Sequence, residues 1–155
     1  MRPLIASWLS VAIMLSVLVF LSSCNTETYD AARERADIKQ LLDEQVTAWN
    51  KGDLDGYMRG YWKNDSLTFT SGGFVFLGWD STLAKYKSAY TTQGAMGTVT
   101  FANLNIDVLS ANSAWVVGTW GLKNSSGTPH GVFTLVLKKF PEGWRIVHDH
   151  TSTGR

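Results

Sequence analysis

Apolar residues at Ile38, Leu41, Leu42, Val46 and Trp49 recur at spacings of three and four, which places them on one stripe of a helix. The spacing predicts a helix from Asp30 to Lys51, with Gly52 placed to end it. Asp53 then stands where it can cap a shorter helix reaching to about Tyr61, in which Leu54, Tyr57 and Tyr61 again lie three and four apart. From Leu67 the period changes: SLTFTSGGFVFLG reads as two short strands about Gly72-Gly73. Asp80 is expected as the N-cap of a third helix, Ser81 to about Tyr90, with Leu83, Tyr86 and Tyr90 on one face. Gly94 and Gly97 read as turns. The remainder is strand. TVTFANLNIDVLS, SAWVVGTWGLKN, GVFTLVLKKF and WRIVHDHTS are rich in Val, Thr and aromatics, and turn residues join them at Ala111-Asn112, Ser125 to Pro129 and Pro141 to Gly143. The order is α-α-β-β-α-β-β-β-β. Helices first and long antiparallel strands last make an α+β fold, a curved sheet wrapped around the N-terminal helices as a cone with an open end and an apolar lining.

The first 24 residues follow another pattern. MRPLIASWLSVAIMLSVLVFLSSC carries one positive charge at Arg2, an apolar run from Leu4 to Leu21, then small residues and a cysteine. That is the layout of an export signal, although a run of about 18 residues is also long enough for a membrane-spanning helix. LSSC, Leu21 to Cys24, resembles the lipobox of bacterial lipoproteins. The resemblance implies that Cys24 is lipidated and becomes the mature N-terminus, that residues 25–29 (NTETY) form a polar tether, and that the folded domain spans 30–153. Cys24 is the single cysteine of the chain, so no intramolecular disulfide is possible. Each buried lipid methylene contributes about 0.8 kcal/mol, and more than one acyl chain is needed for stable anchoring. The expected location is therefore a bacterial cell envelope, with membrane attachment through Cys24. Asn25 rather than an aspartate after the cysteine favours the outer membrane if the cell is Gram-negative.

Charge narrows the functions. With Arg2 set aside, the 14 basic and 13 acidic residues come into balance, and no run of Lys or Arg is visible. Nucleic acid is therefore not an expected partner. Seven Trp, five Tyr and seven Phe are enough both to fill a core and to line a pocket for an organic ligand. There is no G-x-S-x-G, H-E-x-x-H or phosphate-binding glycine loop.

The element order, together with AWNKGDLDGY (48–57), FLGWDS (76–81) and GWRIVHDHTS (143–152), resembles the NTF2-like superfamily, in its SnoaL-like and DUF4440 branch. The last stretch is also similar to the end of the association domain of calcium/calmodulin-dependent protein kinase II. That domain's pocket arginines would fall on Gly118, Leu135 and Thr151, none of which is arginine here, so its anion pocket is not carried over. The resemblance implies a cone that binds a small molecule, a cofactor-free isomerase, hydratase or cyclase, or a dimerisation module. Fold alone does not choose among them.

Strand alternation assigns the C-terminal residues to faces. With Pro141-Glu142-Gly143 as a three-residue loop, Phe140 pairs with Trp144, Lys138 with Ile146, Val136 with His148, Leu135 with Asp149 and Thr134 with His150. The face holding Phe133, Leu135, Val147, Asp149 and Thr151 is the more apolar and is expected inside the cone, with Trp49, Tyr57, Tyr61 and Trp120 completing the pocket. A carboxylate there has its pKa raised and can shuttle a proton near neutrality, so Asp149 is the candidate acid/base, the alternatives being ligand contact or a structural hydrogen bond. Val117, Thr119, Thr134, Val136, His148 and His150 are expected on the outer face, where NTF2-like domains often pair as homodimers. His148 and His150 supply two of the three protein ligands that zinc catalytic sites usually need, His130 falls beyond the pairing partner of His150 near the strand end, and no Cys and few acidic residues share that face, so no metal is expected.

Overall fold

The computed structural model describes residues 29–154. The apolar leader, Cys24 and residues 25–28 of the tether lie outside the described residues.

Helix α1 spans Ala31–Asn50 because both ends are chemically marked. Asp30 stops outside it, and its carboxylate accepts the Ala32 and Arg33 amides at 3.0 and 3.2 Å. Gly52, at φ 77°, turns the chain away beyond the other end. The buried stripe is Ile38, Leu42, Gln45 and Trp49. Leu41 and Val46, assigned to the apolar face by their spacing, pack only partly against the core. Gln45 takes the inward place because its amide donates to the Tyr57 carbonyl at 3.0 Å. Asp53 caps α2 (Leu54–Met58) through the Gly56 amide at 2.7 Å. This helix is shorter than its spacing predicts. After Met58 the chain opens and docks on the last strand: Ile146 donates to the Gly60 carbonyl, Trp62 donates to the Ile146 carbonyl, and Tyr61 forms a parallel bridge with Ile146.

Strands β1 (Thr68–Ser71) and β2 (Phe74–Leu77) form a hairpin about Gly72 and Gly73. Both glycines have positive φ, as a two-residue hairpin turn of the type I′ kind demands. Helix α3 spans Trp79–Ala89, two residues earlier than expected. Gly78 rather than Asp80 is the N-cap and has no side chain to bond with. The start is held instead by the Trp79 indole on the Met58 carbonyl and by the Thr82 hydroxyl on the Gly78 carbonyl. A short α4 (Gln93–Met96), capped by the Thr92 hydroxyl, occupies a stretch that reads as turns.

The four long strands are β3 (Thr98–Ser110), β4 (Ser113–Lys123), β5 (His130–Phe140) and β6 (Gly143–Thr153). They join the hairpin in one six-stranded sheet of order β2-β1-β6-β5-β4-β3, antiparallel except where β1 runs parallel to β6. In β3 the register shifts between Ala102 and Asn105, and Asn103 takes φ 52°. A bulge of this kind bends the strand and helps the sheet curl around the helices.

The closed end of the cone is locked by a buried carboxylate. Glu34, in the first turn of α1, accepts Lys139 Nζ on both oxygens at 2.7 Å and Trp144 Nε1 at 2.8 Å. Those partners hold its pKa below the usual carboxylate value against the opposing effect of burial. Tyr29, just before α1, bonds to the Val108 carbonyl near the end of β3. The chain thus enters the domain at this closed end.

Candidate functional site

Helices α1, α2 and α3 leave the other end of the cone open, and a cavity of about 170 Å³ runs into it. Its helix side is aromatic. Trp49 meets Tyr57, Tyr86 and Tyr90 edge-on at 5.1, 5.9 and 4.7 Å between ring centres. The Trp49 indole is fixed by the Met96 carbonyl at 3.0 Å. The sheet side adds Phe69, Phe101, Trp120, Phe133, Leu135 and Ile146. Polar groups are few: Gln45, Ser71, Lys85, Asp149, Thr151 and Thr153.

Asp149 is 3% exposed. Its Oδ2 accepts the Tyr61 hydroxyl at 2.7 Å and its Oδ1 accepts the Thr151 hydroxyl at 2.9 Å. The Tyr57 hydroxyl lies 3.4 Å from that of Tyr61, which extends the chain to four groups. Burial pushes the Asp149 carboxyl up to about 6, against the lowering effect of Tyr61, Thr151 and the charges of His150 and Lys85. Burial, with the Asp149 charge adding to it, raises Tyr57 to about 12 and Tyr61 well above its ordinary value. The site therefore combines a carboxyl group that titrates near neutrality with phenols that stay protonated. Such a set can accept a proton at one point and donate hydrogen bonds to an oxyanion at another.

Trp49, Tyr57, Tyr61, Trp120, Phe133, Leu135, Asp149 and Thr151 all line this cavity. Val147 does not, and the reason is a bulge. The turn after Phe140 holds two residues rather than three, since Phe140 pairs with Gly143 and Leu137 with Ile146. The register then slips between Leu137 and Val136, so that Val136 pairs with His148. Val147 is the extra residue at that slip. Trp144 and Ile146 consequently share the inner face with Asp149, although simple alternation puts them on the opposite one. The pairings of Phe140 with Trp144 and of Lys138 with Ile146 are corrected accordingly. Those of His148, Asp149 and His150 stand as expected, because the short turn and the bulge cancel.

Val117, Thr119, Thr134, Val136, His148 and His150 lie on the opposite face of the sheet from Asp149. His148 Nδ1 shares a hydrogen bond with the Thr68 hydroxyl of the neighbouring strand. Burial first, and then the His150 charge, lowers its pKa. Among the described residues no group of three His, Cys, Asp or Glu side chains is placed to hold a metal ion.

Gln45, Lys85, Tyr86, Tyr90 and Ile146 are cavity residues that the sequence pattern does not assign to the pocket, as are Phe69, Phe101, Ser71 and Thr153. Tyr86 and Tyr90 carried a signal, since they mark the apolar face of α3. Lys85 carried none, because a single lysine on a helix ordinarily reads as solvated.

A model of the SnoaL-like domain matches residues 38–154, a span that takes in α1 from Ile38 onward, the cavity and all six strands. The chain belongs to the SnoaL-like domain family. In this SnoaL-like domain α1 and α2 precede the sheet, α3 and α4 stand between its hairpin and its four long strands, and the sheet is left unclosed. It is 47% identical to an NTF2-like protein of unknown function from Shewanella oneidensis MR-1, over 76% of this chain and 98% of that one, with a TM-score of 0.73. A ketosteroid isomerase-like protein from Erwinia carotovora atroseptica shares the fold at 20% identity, over 77% and 95% of the two chains, with a TM-score of 0.62. An NTF2-like superfamily protein from Salmonella enterica does so at 20% identity, over 80% and 93%, with a TM-score of 0.65. No curated protein matches the sequence at a significant level.

Proposed function

We propose that the SnoaL-like cone binds a small, mostly apolar or aromatic molecule, and that it does so as a lipid-anchored domain of the bacterial cell envelope. The observation that carries the binding role is the open aromatic cavity with one buried carboxyl group at its wall. Apolar walls with a few placed polar groups are the ordinary make-up of a small-molecule site. The envelope location rests on the leader pattern and Cys24. A thermal-shift screen of small aromatic and polyketide-like compounds on wild type and Asp149→Asn tests the binding role. Hits that weaken or change rank in the variant support it, and no hit with either protein sinks it. Cys24→Ser tests the anchor: loss of lipid labelling and of processing is expected, and unchanged labelling rejects the lipoprotein reading.

A second reading makes the protein a cofactor-free isomerase, hydratase or cyclase. The hydrogen-bonded chain Tyr57–Tyr61–Asp149 favours it. Asp149 removes a proton from an acidic carbon and returns it elsewhere on the same molecule; between the two steps protonated Asp149 no longer needs the Tyr61 hydroxyl, which is then free to donate to the enolate oxygen. Incorporation of deuterium from D₂O into a bound ketone, abolished by Asp149→Asn, is its signature. The outer face, where Val132 and Val136 are 51% and 38% exposed, is proposed to pair two copies as a homodimer. A pure dimerisation scaffold has less support, because a vestigial pocket is expected to be filled and this one is open.

A further inference from the structure

Among the described residues, Lys85 is the one basic side chain that lines the cavity. It projects from α3 and is half-buried, with its ammonium 5.1, 5.3 and 5.6 Å from the ring centres of Phe69, Phe76 and Tyr86. Three aromatic faces hold the charge in place. They offer no lone pair to its three N–H donors, and among the described residues it has no ion-pair partner. Asp149, the cavity's carboxylate, already has each oxygen engaged, one by Tyr61 and one by Thr151. Burial lowers the Lys85 pKa and the Asp149 charge works against that, so the ammonium is poorly solvated where it stands. Lys139 is the contrast: it reaches a carboxylate of its own chain at 2.7 Å. Near the mouth, Ser71 and Thr153 add hydroxyls that can also donate.

Size restricts the ligand as well. A cavity of about 150 Å³ lined by apolar side chains takes up benzene. The 170 Å³ found here has room for one six-membered ring and a short polar branch.

We infer that the ligand is a monocyclic carboxylic acid, its ring among Trp49, Tyr57 and Tyr86 and its carboxylate on Lys85 at the mouth. This rests on the binding role proposed above and adds the charge and size of what is bound. The anion belongs at Lys85 because the inner wall carries Asp149, which repels it. A carboxylate on a one-carbon branch adds four heavy atoms beyond the ring, against five for a phosphate ester, and is the better match to a cavity of about 170 Å³.

Calorimetric titration of the purified full-length protein with phenylacetate and its neutral isostere phenylacetamide tests the inference. The acid is expected to bind at least about tenfold more tightly at low salt, the lower end of what a hydrogen bond to a charged group contributes. Lys85→Met should bring the acid down to the affinity of the amide, and Lys85→Arg should keep most of the preference. Circular dichroism melting of each variant separates lost binding from lost fold, and Lys85→Gln serves as a second neutral variant. Equal affinity of acid and amide for the wild type overturns the carboxylate inference and leaves the cavity's binding role standing. If neither compound binds, and toluene and indole do not bind either, the binding role fails and this inference falls with it.

Discussion

The Tyr61 hydroxyl donates to Asp149 Oδ2 at 2.7 Å, across 88 positions of sequence. Two unrelated local decisions make that contact. α2 stops at Met58, which frees Tyr61 to dock beside β6, and the bulge at Val147 turns Asp149 inward.

Replacing Tyr61 with Phe removes a hydrogen bond that favours ionised Asp149. The Asp149 pKa, about 6 in the native protein, is then expected to rise further. Carboxyl ¹³C chemical shifts followed through a pH titration give the value directly. A fall would mean that Tyr61 does not donate to Asp149.

Asp149 also makes stability depend on pH. Its folded pKa of about 6 lies above the ordinary 3.8, so the folded state holds the proton more tightly than the unfolded chain. The contribution is fully present below about 3.8 and is lost as pH rises through about 6. Across that window the wild type should lose up to about 3 kcal/mol relative to Asp149→Asn. Urea unfolding of both proteins at pH 4 and pH 7 measures the difference. A gap that does not change with pH refutes the assignment.

Glu34 works in the opposite sense. Its lowered folded pKa contributes stability above the unfolded value of 4.5 that disappears as pH falls through the folded one. Glu34→Gln is expected to cost roughly 2 kcal/mol at pH 7, less than a fully buried pair, because Lys139 can turn to solvent. The penalty should shrink in acid. Denaturation midpoints at pH 7 and pH 3 check both statements.

Two glycines differ in what a methyl group would strike. At Gly131 a Cβ would sit 1.9 Å from the Ser152 carbonyl oxygen, which is backbone. At Gly118 the obstacles are side-chain atoms, Phe133 Cζ at 2.6 Å and Leu104 Cδ2 at 2.7 Å. Gly131→Ala should therefore cost more than Gly118→Ala, the latter falling at about 1–3 kcal/mol. Gly118→Ala should also push Phe133 and narrow the cavity it lines. Chemical denaturation ranks the two variants.

If the outer face pairs two copies, Val136→Lys places two like charges near the contact. The wild type should sediment as a dimer and the variant as a monomer of unchanged circular dichroism. A wild type that sediments as a monomer rejects the pairing.

Much of this fold is legible in the sequence because long strands have a strict period. β5 alternates buried and exposed from Gly131 to Lys138, and Phe133, Leu135 and Leu137 point inward as their chemistry demands. The inward face of Asp149 is legible for a less secure reason. A turn one residue shorter than the sequence suggests offsets a bulge that strand alternation does not place, since nothing in IVHD marks Val147 as the residue left out of the pairing. The sequence points to Asp80 as the start of α3 because its side chain is a good cap, whereas the Trp79 indole on the Met58 carbonyl holds the start from a distant part of the chain. Lys85 and Glu34 stayed hidden for the same reason. Each is a charged residue on a helix whose partners, aromatic rings in one case and Lys139 and Trp144 in the other, come together only in the folded molecule.

The placement of Tyr29 and Glu34 gives the domain a handle and a spout. Anything attached ahead of α1 holds the molecule by its base, while Thr153 looks out from the far end of β6, a strand roughly 35 Å long, with Ser71 and Trp120 lining the same cavity. The mouth therefore opens on the side away from whatever precedes α1, and an attachment there leaves it uncovered.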